Sequence, residues 1–155
     1  MSVWRRFANH GFPSLITTNI DERRSVFASP HAARLLLQVI SEVRRETHFK
    51  LLAFVVMPDH IHLVIAIPPG LALGRIMRLI KGRFSNRYNR ISRGRGSLWQ
   101  ERYHERALRS ERELVAAIEY VHANPIKAGL ASQAELFPWS SANSACETDL
   151  DAYLA

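Results

Sequence analysis

The chain has 155 residues, 47% of them hydrophobic, and a formal net charge of +7. This length and composition fit one folded domain with a substantial core, over residues 1–155, and exclude a disordered polymer. No apolar run reaches the roughly 18 residues of a membrane span, and the N-terminal residues do not resemble a secretory signal. The single cysteine, Cys146, excludes an internal disulfide, so we expect a reducing, cytoplasmic location.

Positive charge is concentrated in one part of the chain. Between residues 71 and 112 the sequence holds twelve Lys and Arg against three Glu, a surplus of nine. Such a concentrated field indicates a polyanionic partner. A solvated basic face without a partner is the alternative. An anionic lipid surface is a weaker one, because the apolar stripe of this segment is needed for the core.

The first half of the chain predicts a strand, a helix and a hairpin. β-Forming residues predict a strand over about 14–20. A Ser-Pro start and helical spacing of apolar residues predict a helix from Pro30 to about His48. Two apolar runs, 49–56 and 60–67, flank a Pro-Asp turn and predict two antiparallel strands. Strand, helix and hairpin together make half of a ferredoxin-like α+β layer.

The second half predicts a long basic helix, a fourth strand and a third helix. The helix spans about 71–91 with one apolar stripe, and the strand spans 98–108. Ser110 can cap the third helix, which we expect to end or kink near Ala123 because an Asn-Pro pair follows. One more turn over 126–130 should follow, closed by Gly129. From about residue 143 we expect a loose tail. The predicted class is α+β, with a ferredoxin-like antiparallel sheet and helices packed on it.

Two histidines stand at the start of the third predicted strand. Side chains alternate along a strand, so His60 and His62 share one face while Ile61 and Leu63 share the other. Two imidazoles so placed can bind one divalent metal ion. The alternative is a pair of partly exposed histidines without a ligand. If a metal binds, the opposite face of the strand still packs on the core.

Covalent cleavage of a phosphodiester, one reaction open to a basic metalloprotein, needs a nucleophile, and tyrosine can provide it. Tyr88 continues the apolar stripe of the basic helix, and Tyr153 falls in the predicted tail, so Tyr103 and Tyr120 remain. We favour Tyr120 because Asn124 lies four residues later, on the same helix face. The Asn124 side-chain oxygen could complete a two-histidine metal site. A half-buried structural role is the alternative for Tyr120.

Four sequence blocks occur in a characteristic order. They are MPDHIHLV at 57–64, LWQERYHERALR at 98–109, YVHANPIKAGL at 120–130 and PWSS at 138–141. This set resembles the REP-associated tyrosine transposases, which belong to the HUH single-tyrosine transposases. The resemblance covers about residues 12 to 141, nearly the whole chain.

The resemblance implies a fold, a metal and a reaction. The fold would be a ferredoxin-like HUH domain, with Mg²⁺ or Mn²⁺ on His60 and His62. Tyr120 would attack single-stranded DNA, form a 5′-phosphotyrosine and free a 3′-hydroxyl. The implied substrates are repetitive extragenic palindromes, which fold as hairpins, and the implied location is the nucleoid. Monomer and dimer both remain open.

The resemblance also bears on the third metal ligand and on the DNA contacts. Related insertion-sequence enzymes carry a glutamine ligand where this chain has Asn124, one methylene shorter, so His104 and Glu105 are alternatives. A catalytically silent hairpin binder and a small-molecule metal hydrolase are the rival functions. The candidate phosphate-binding residues share the predicted basic helix: Arg75, Arg78, Lys81, Arg83, Arg87 and Arg90.

Overall fold

Four strands and four helices follow one another along residues 11–155, the part of the chain that the structure describes. The structure is a computed structural model. Within these residues, no helix is both long enough and apolar enough to cross a membrane. The elements are β1 (Ser14–Asn19), α1 (Pro30–Thr47), β2 (Lys50–Val56), β3 (His60–Ala66), α2 (Leu73–Ser92), β4 (His104–Ala107), α3 (Glu111–Lys127) and α4 (Leu150–Leu154).

The strands form one antiparallel sheet in the order β2-β3-β1-β4. β2 and β3 make the predicted hairpin, which the backbone N–H of Met57 closes by donating to the carbonyl of His60 at 2.8 Å. β1 pairs in the centre, with Thr17 opposite His62 and Asn19 opposite His60. This order, with helices after β1 and β3, is the ferredoxin-like arrangement. The predicted fold class is confirmed.

One face of the sheet packs against α1 and α2. Its side chains include Ile16, Ile61 and Leu63, which are fully buried with Leu36 of α1 and Phe84 of α2. The helical spacing of apolar residues that predicted these two helices thus marks the sides they bury. α1 starts at Pro30 as predicted, with Ser29 as its N-cap. This face is the main core, and neither histidine lies on it.

The opposite face of the sheet packs against α3. Leu114, Ala117 and Val121 of that helix are buried against a second cluster that includes Val55 and Val64 of the hairpin. Ser110 caps α3 as predicted, since its Oγ accepts from the backbone N–H of Glu113 at 3.0 Å. Because α3 covers this face only in part, the remaining sheet surface stays accessible at the histidine end of β3.

The predicted fourth strand over 98–108 is wrong in extent. Only His104–Ala107 pairs along β1, and further upstream Trp99 makes an isolated bridge to Ile20. Near that bridge the Gln100 N–H donates to the Asn19 carbonyl of β1 at 2.9 Å, and Lys81 Nζ of α2 donates to the carbonyl of Gln100 at 2.7 Å. The regular strand is therefore only four residues long, and residues 98–100 stay attached to the end of β1 by separate backbone hydrogen bonds.

Of the two outcomes expected near Ala123, a helix end is wrong. α3 continues through Pro125 to Lys127. Pro125 is buried in the structure, and the helix continues beyond it with Ala128 N–H donating to the carbonyl of Asn124 at 3.0 Å. Burial on the sheet side offsets the hydrogen bond that a proline removes. The unbroken helix keeps residues 120 and 124 on one face.

The C-terminal segment is attached to β2, contrary to the loose tail expected from about residue 143. The Asp149 carboxylate accepts from the backbone N–H of Leu51 at 2.9 Å and from the Arg44 guanidinium at 2.5 Å. Burial alone would raise the pKa of the Asp149 carboxyl, but the hydrogen bonds from Arg44 and Leu51 lower it below its usual value. α4 follows directly, and Tyr153 packs on the second cluster.

Replacing Asp149 by Asn should destabilise the protein by about 1–2 kcal/mol at pH 7, because the charged partner of Arg44 is lost. The pKa of the carboxyl is lowered on folding, so its contribution is present above the unfolded value and disappears as the pH falls through the folded value. Urea unfolding at pH 7 and below about pH 4 measures this difference. Asp151→Asn, at an exposed carboxylate of the same segment, is the control, and an equal effect of both variants would contradict the assignment.

Candidate active site

The two histidines at the start of β3 lie side by side on the sheet face that α3 partly covers. Their ring centroids are 4.9 Å apart, with the planes nearly perpendicular. His62 is only 4% exposed, whereas His60 is half-buried. The alternation of side chains along β3 places both imidazoles here, as the sequence predicted.

Each imidazole is oriented through its Nδ1 atom. Nδ1 of His60 lies 2.6 Å from a carboxylate oxygen of Asp59, to which it donates. Nδ1 of His62 lies 2.8 Å from Oγ1 of Thr17, the residue opposite it on β1. Because each Nδ1 has a partner, Nε2 of each ring is the atom left to bind a metal. In metal-binding histidines, the ring nitrogen that does not bind the metal usually has such a partner.

The electrostatics of the site favour a neutral His62. Burial, together with the neighbouring His60 imidazole, lowers the pKa of His62 to about 4. A neutral imidazole is the form that binds a metal ion. Burial alone would raise the pKa of Asp59, but hydrogen bonds from Arg23 and His60 lower it. The carboxylate thus stays ionised while it orients His60.

Tyr120 projects from α3 beside the imidazoles. Its ring centroid is 5.3 Å from that of His62, in an edge-on arrangement, and the side chain is 44% exposed. Lys127, one turn further along the helix than Asn124, places Nζ 5.7 Å from the centre of the Tyr120 ring. The phenol is therefore neither buried nor on the far side of the sheet, and it is next to a cation.

The three candidates for a further metal ligand differ in position. Asn124 shares the helix face of Tyr120 and donates from Nδ2 to the Tyr120 carbonyl at 3.4 Å. His104 lies opposite Thr17 on β4, one strand beyond β1. The Glu105 carboxylate instead accepts from Ser14 at 3.0 Å, on the side of the sheet that faces α1 and α2.

Among the described residues, the site does not have enough imidazoles and carboxylates to coordinate a metal ion by themselves. Within residues 11–155 no group of three or more His, Cys, Asp or Glu is placed to hold one ion. A Mg²⁺ or Mn²⁺ ion on the histidine pair would therefore complete its coordination with oxygen from an amide, a phenol, water or a phosphate, which such hard cations accept.

An open cavity of about 300 Å³ adjoins Tyr120. It lies between α3 and the β1–β4 edge of the sheet, and Thr17, His104 and Arg106 line it with the tyrosine. The space is thus bounded by the nucleophile candidate, by the residue that orients His62, and by a basic side chain.

The basic residues of α2 divide into two groups. Arg83 and Arg87 make two-pronged hydrogen bonds to Glu46 and Glu42 of α1, at 2.6–2.7 Å and 2.7–2.9 Å respectively. These pairs help join α2 to α1. The exposed members of the predicted phosphate-binding set are Arg75, Arg78 and Arg90, while Lys81 is half-buried against Gln100.

Three residues of the site were absent from the sequence prediction. Asp59 precedes His60 directly, so a carboxylate next to a predicted metal ligand was a usable signal. Lys127 follows Tyr120 by seven residues, which is two helical turns, but the expected helix end near Ala123 hid this relation. No pattern in the sequence marks Thr17, because only the β1–β3 register places it next to His62.

Comparison with known proteins identifies the family of the chain. The sequence model of the family described as "Transposase IS200 like" matches residues 15–124. A REP-associated tyrosine transposase of Escherichia coli (strain K12) is 29% identical over 147 residues, which cover 91% of this chain and 82% of the relative.

Solved structures extend the likeness to three dimensions. A REP-associated tyrosine transposase bound to a REP hairpin superposes with a TM-score of 0.74 at 28% identity, covering 85% of this chain and 77% of that one. A protein of Deinococcus radiodurans R1 shares the fold, with a TM-score of 0.54 at 20% identity over 70% of this chain and 87% of that one. The family model spans both histidines, Tyr120 and Asn124, and the chain belongs to the IS200-like transposase family.

Proposed function

We propose that this protein cleaves and rejoins single-stranded DNA through a covalent bond to Tyr120, with the help of a divalent metal ion. The observation that carries the proposal is the contact between the exposed Tyr120 phenol and the His62 imidazole, 5.3 Å between ring centres. A nucleophile and a metal-binding pair adjoin one open surface. Membership of a transposase family supports the same reaction class.

Tyr120 acts as the nucleophile. Its phenolic oxygen attacks a backbone phosphorus and loses its proton, while the bond from phosphorus to the 3′-oxygen breaks. The products are a 5′-phosphotyrosine and a DNA end whose 3′-oxygen has taken up a proton. The ester keeps the energy of the broken bond, so a 3′-hydroxyl can reverse the step on the same or another strand. Lys127, beside the ring, provides positive charge next to the attacked phosphate.

The remaining site residues would orient the metal ligands and neutralise negative charge on the phosphate. The Nε2 atoms of His60 and His62 would hold a Mg²⁺ or Mn²⁺ ion, with Asn124 as the protein's further ligand, and this ion supplies positive charge at a non-bridging phosphate oxygen. Thr17 and Asp59 fix the two rings through their Nδ1 atoms. The low pKa of His62, about 4, keeps that imidazole neutral at neutral pH.

We infer hairpin-forming DNA as the substrate. The structural relative with a TM-score of 0.74 is bound to a REP hairpin, and its identity of 28% extends over most of this chain. The exposed Arg75, Arg78 and Arg90 would contact phosphates without reading the sequence, so binding should weaken as salt rises. A catalytically silent hairpin binder would make the same contacts. The adduct experiment below distinguishes such a binder from an enzyme.

Tyr120→Phe should lower covalent attachment to labelled single-stranded DNA by more than about 10³-fold, because the nucleophile is removed, while hairpin affinity stays the same. Denaturing gels measure the adduct, and Mn²⁺ or Mg²⁺ is present throughout. Tyr88→Phe is the matched control, since Tyr88 stacks on Phe84 away from the site. Loss of the adduct in Tyr103→Phe but not in Tyr120→Phe would refute the assignment, and no adduct with wild type would favour the silent binder.

Metal affinity should respond to the residue that orients His62. We expect His60→Ala to abolish Mn²⁺ binding in calorimetric titrations, and Thr17→Val to weaken it about 10-fold, because the ring loses its Nδ1 partner. Thr18→Val is the matched control: Thr18 is the next residue of β1, it is fully buried, and its hydroxyl has no partner among the described residues. Equal affinities for the two threonine variants would show that Thr17 does not orient the ligand.

A further inference from the structure

His122 of α3 is a half-buried histidine that the proposed chemistry does not use. Its Nε2 lies 2.7 Å from Oγ of Ser141, in the C-terminal segment. Burial lowers the pKa of His122 below its ordinary value, although the charge of Glu135 opposes this shift. At neutral pH the ring is therefore mainly uncharged, and an uncharged ring can accept a hydrogen bond from the Ser141 hydroxyl.

Ser141 is itself fixed to the edge of the sheet at β2. Its backbone N–H donates to the carbonyl of Phe54 at 3.0 Å, and its Oγ accepts from the backbone N–H of Phe54 at 2.9 Å. The preceding residue, Ser140, forms an antiparallel bridge with Val55. Val55 is in turn paired with His62 of β3, so the serine hydroxyl is connected through two strands to the imidazole pair.

Tyr120 and His122 lie on opposite flanks of α3. Successive helix residues are about 100° apart, and Val121 between them is fully buried in the cluster against the sheet. Tyr120 is on the flank towards the β1–β4 edge, where it lines a cavity with Thr17 and His104. His122 is on the flank towards β2. The two side chains therefore stand on either side of the line along which the helix rests on the sheet.

The apolar contacts of α3 do little to fix its rotation about its own axis. Hydrophobic burial has no direction, so Leu114, Ala117 and Val121 would stay covered after a small roll of the helix. A helix with its side chains is about 10–12 Å across, so a roll of about 20° moves its outer atoms by about 2 Å. A hydrogen bond weakens steeply when its length and angle depart from the optimum. The bond between His122 and Ser141 therefore opposes such a roll.

We propose that His122 is a positioning residue: its bond to Ser141 sets the roll of α3 and so holds the Tyr120 phenol at the imidazole pair. The inference rests on the proposed function for the reaction that this position serves. A misplacement of about 1 Å can slow an enzymatic reaction about 10²-fold, even when the altered residue is far from the chemistry. His122 acts on the rate through the helix, so neither hairpin affinity nor metal affinity should depend on it.

The test compares two variants of similar size at position 122. His122→Gln keeps a side-chain amide within reach of Ser141, whereas His122→Leu fills similar space without a hydrogen bond. With saturating Mn²⁺ and hairpin DNA that has single-stranded flanks, we expect His122→Leu to slow single-turnover adduct formation by about 10- to 100-fold. His122→Gln should slow it by less than about 3-fold. Affinities for the hairpin and for Mn²⁺ should equal those of wild type in both variants.

A second measurement reports the geometry without any reaction. In the metal-free protein the rings of Tyr120 and His62, whose centroids are 5.3 Å apart, should give nuclear Overhauser effects between their protons. We expect His122→Leu to weaken these NMR signals and His122→Gln to keep them. Ser141→Ala removes the other partner of the bond and should weaken them as well, which tests the proposal even if His122→Leu fails to fold.

Asp149→Asn is the control for general loosening of the C-terminal segment. It weakens the attachment of that segment through Leu51 and Arg44 rather than through α3, so its adduct rate and ring signals should match those of wild type. The proposal is overturned if Ser141→Ala and a folded His122→Leu keep both the rate and the ring signals. It is also overturned if His122→Gln loses them as fully as His122→Leu, or if Asp149→Asn is equally slow.

The outcome is separable from that of the covalent chemistry. Ring signals that depend on residues 122 and 141, in a protein that forms no DNA adduct, would support the positioning of Tyr120 by His122 and refute the proposed reaction. Adduct formation at Tyr120 that is equally fast in wild type and in His122→Leu would support the reaction and overturn the positioning role.

Discussion

The antiparallel pairing of β1 with β3 is the constraint on which the site depends. This register sets Thr17 opposite His62 and Asn19 opposite His60. A slip of one residue would reverse the faces of a strand, so the imidazoles would enter the core between the sheet and α1. The fully buried Ile61 and Leu63 oppose such a slip, because it would expose them. Hydrophobic burial on one face thus fixes functional geometry on the other.

The sheet separates structural and functional roles between its two sides. α1 and α2 bury one side, and the pairs of Arg83 and Arg87 with α1 carboxylates join these helices. α3 covers only part of the second side, which leaves room beside Tyr120. Continuation of α3 through Pro125 matters for this side, because it brings Lys127 to the tyrosine ring. The main core therefore rests on α1 and α2, while α3 leaves room at the histidine end of the sheet.

Local patterns in the sequence predicted much of this arrangement. Alternation along β3 put His60 and His62 on one face, and the interval of four residues put Tyr120 with Asn124. Interactions between distant residues escaped prediction. The Thr17 contact depends on strand register, and the hydrogen bond from Lys81 to the Gln100 carbonyl depends on how α2 packs beside the sheet. Asp149 accepts a hydrogen bond from the backbone of Leu51 in β2, although the two residues are 98 positions apart in the sequence. Propensity could not reveal these contacts, and burial of Pro125 overrode the propensity that predicted a helix end.

The central claim is that one ion, the imidazole pair and residue 120 act on the same phosphate. Anomalous diffraction from crystals of the Tyr120→Phe variant with Mn²⁺ and a hairpin DNA that has single-stranded flanks tests it most directly. The account predicts one manganese peak within coordination distance of Nε2 of both His60 and His62, with a DNA phosphate between the ion and residue 120. A peak on other side chains, or a phosphate path that avoids residue 120, would contradict it.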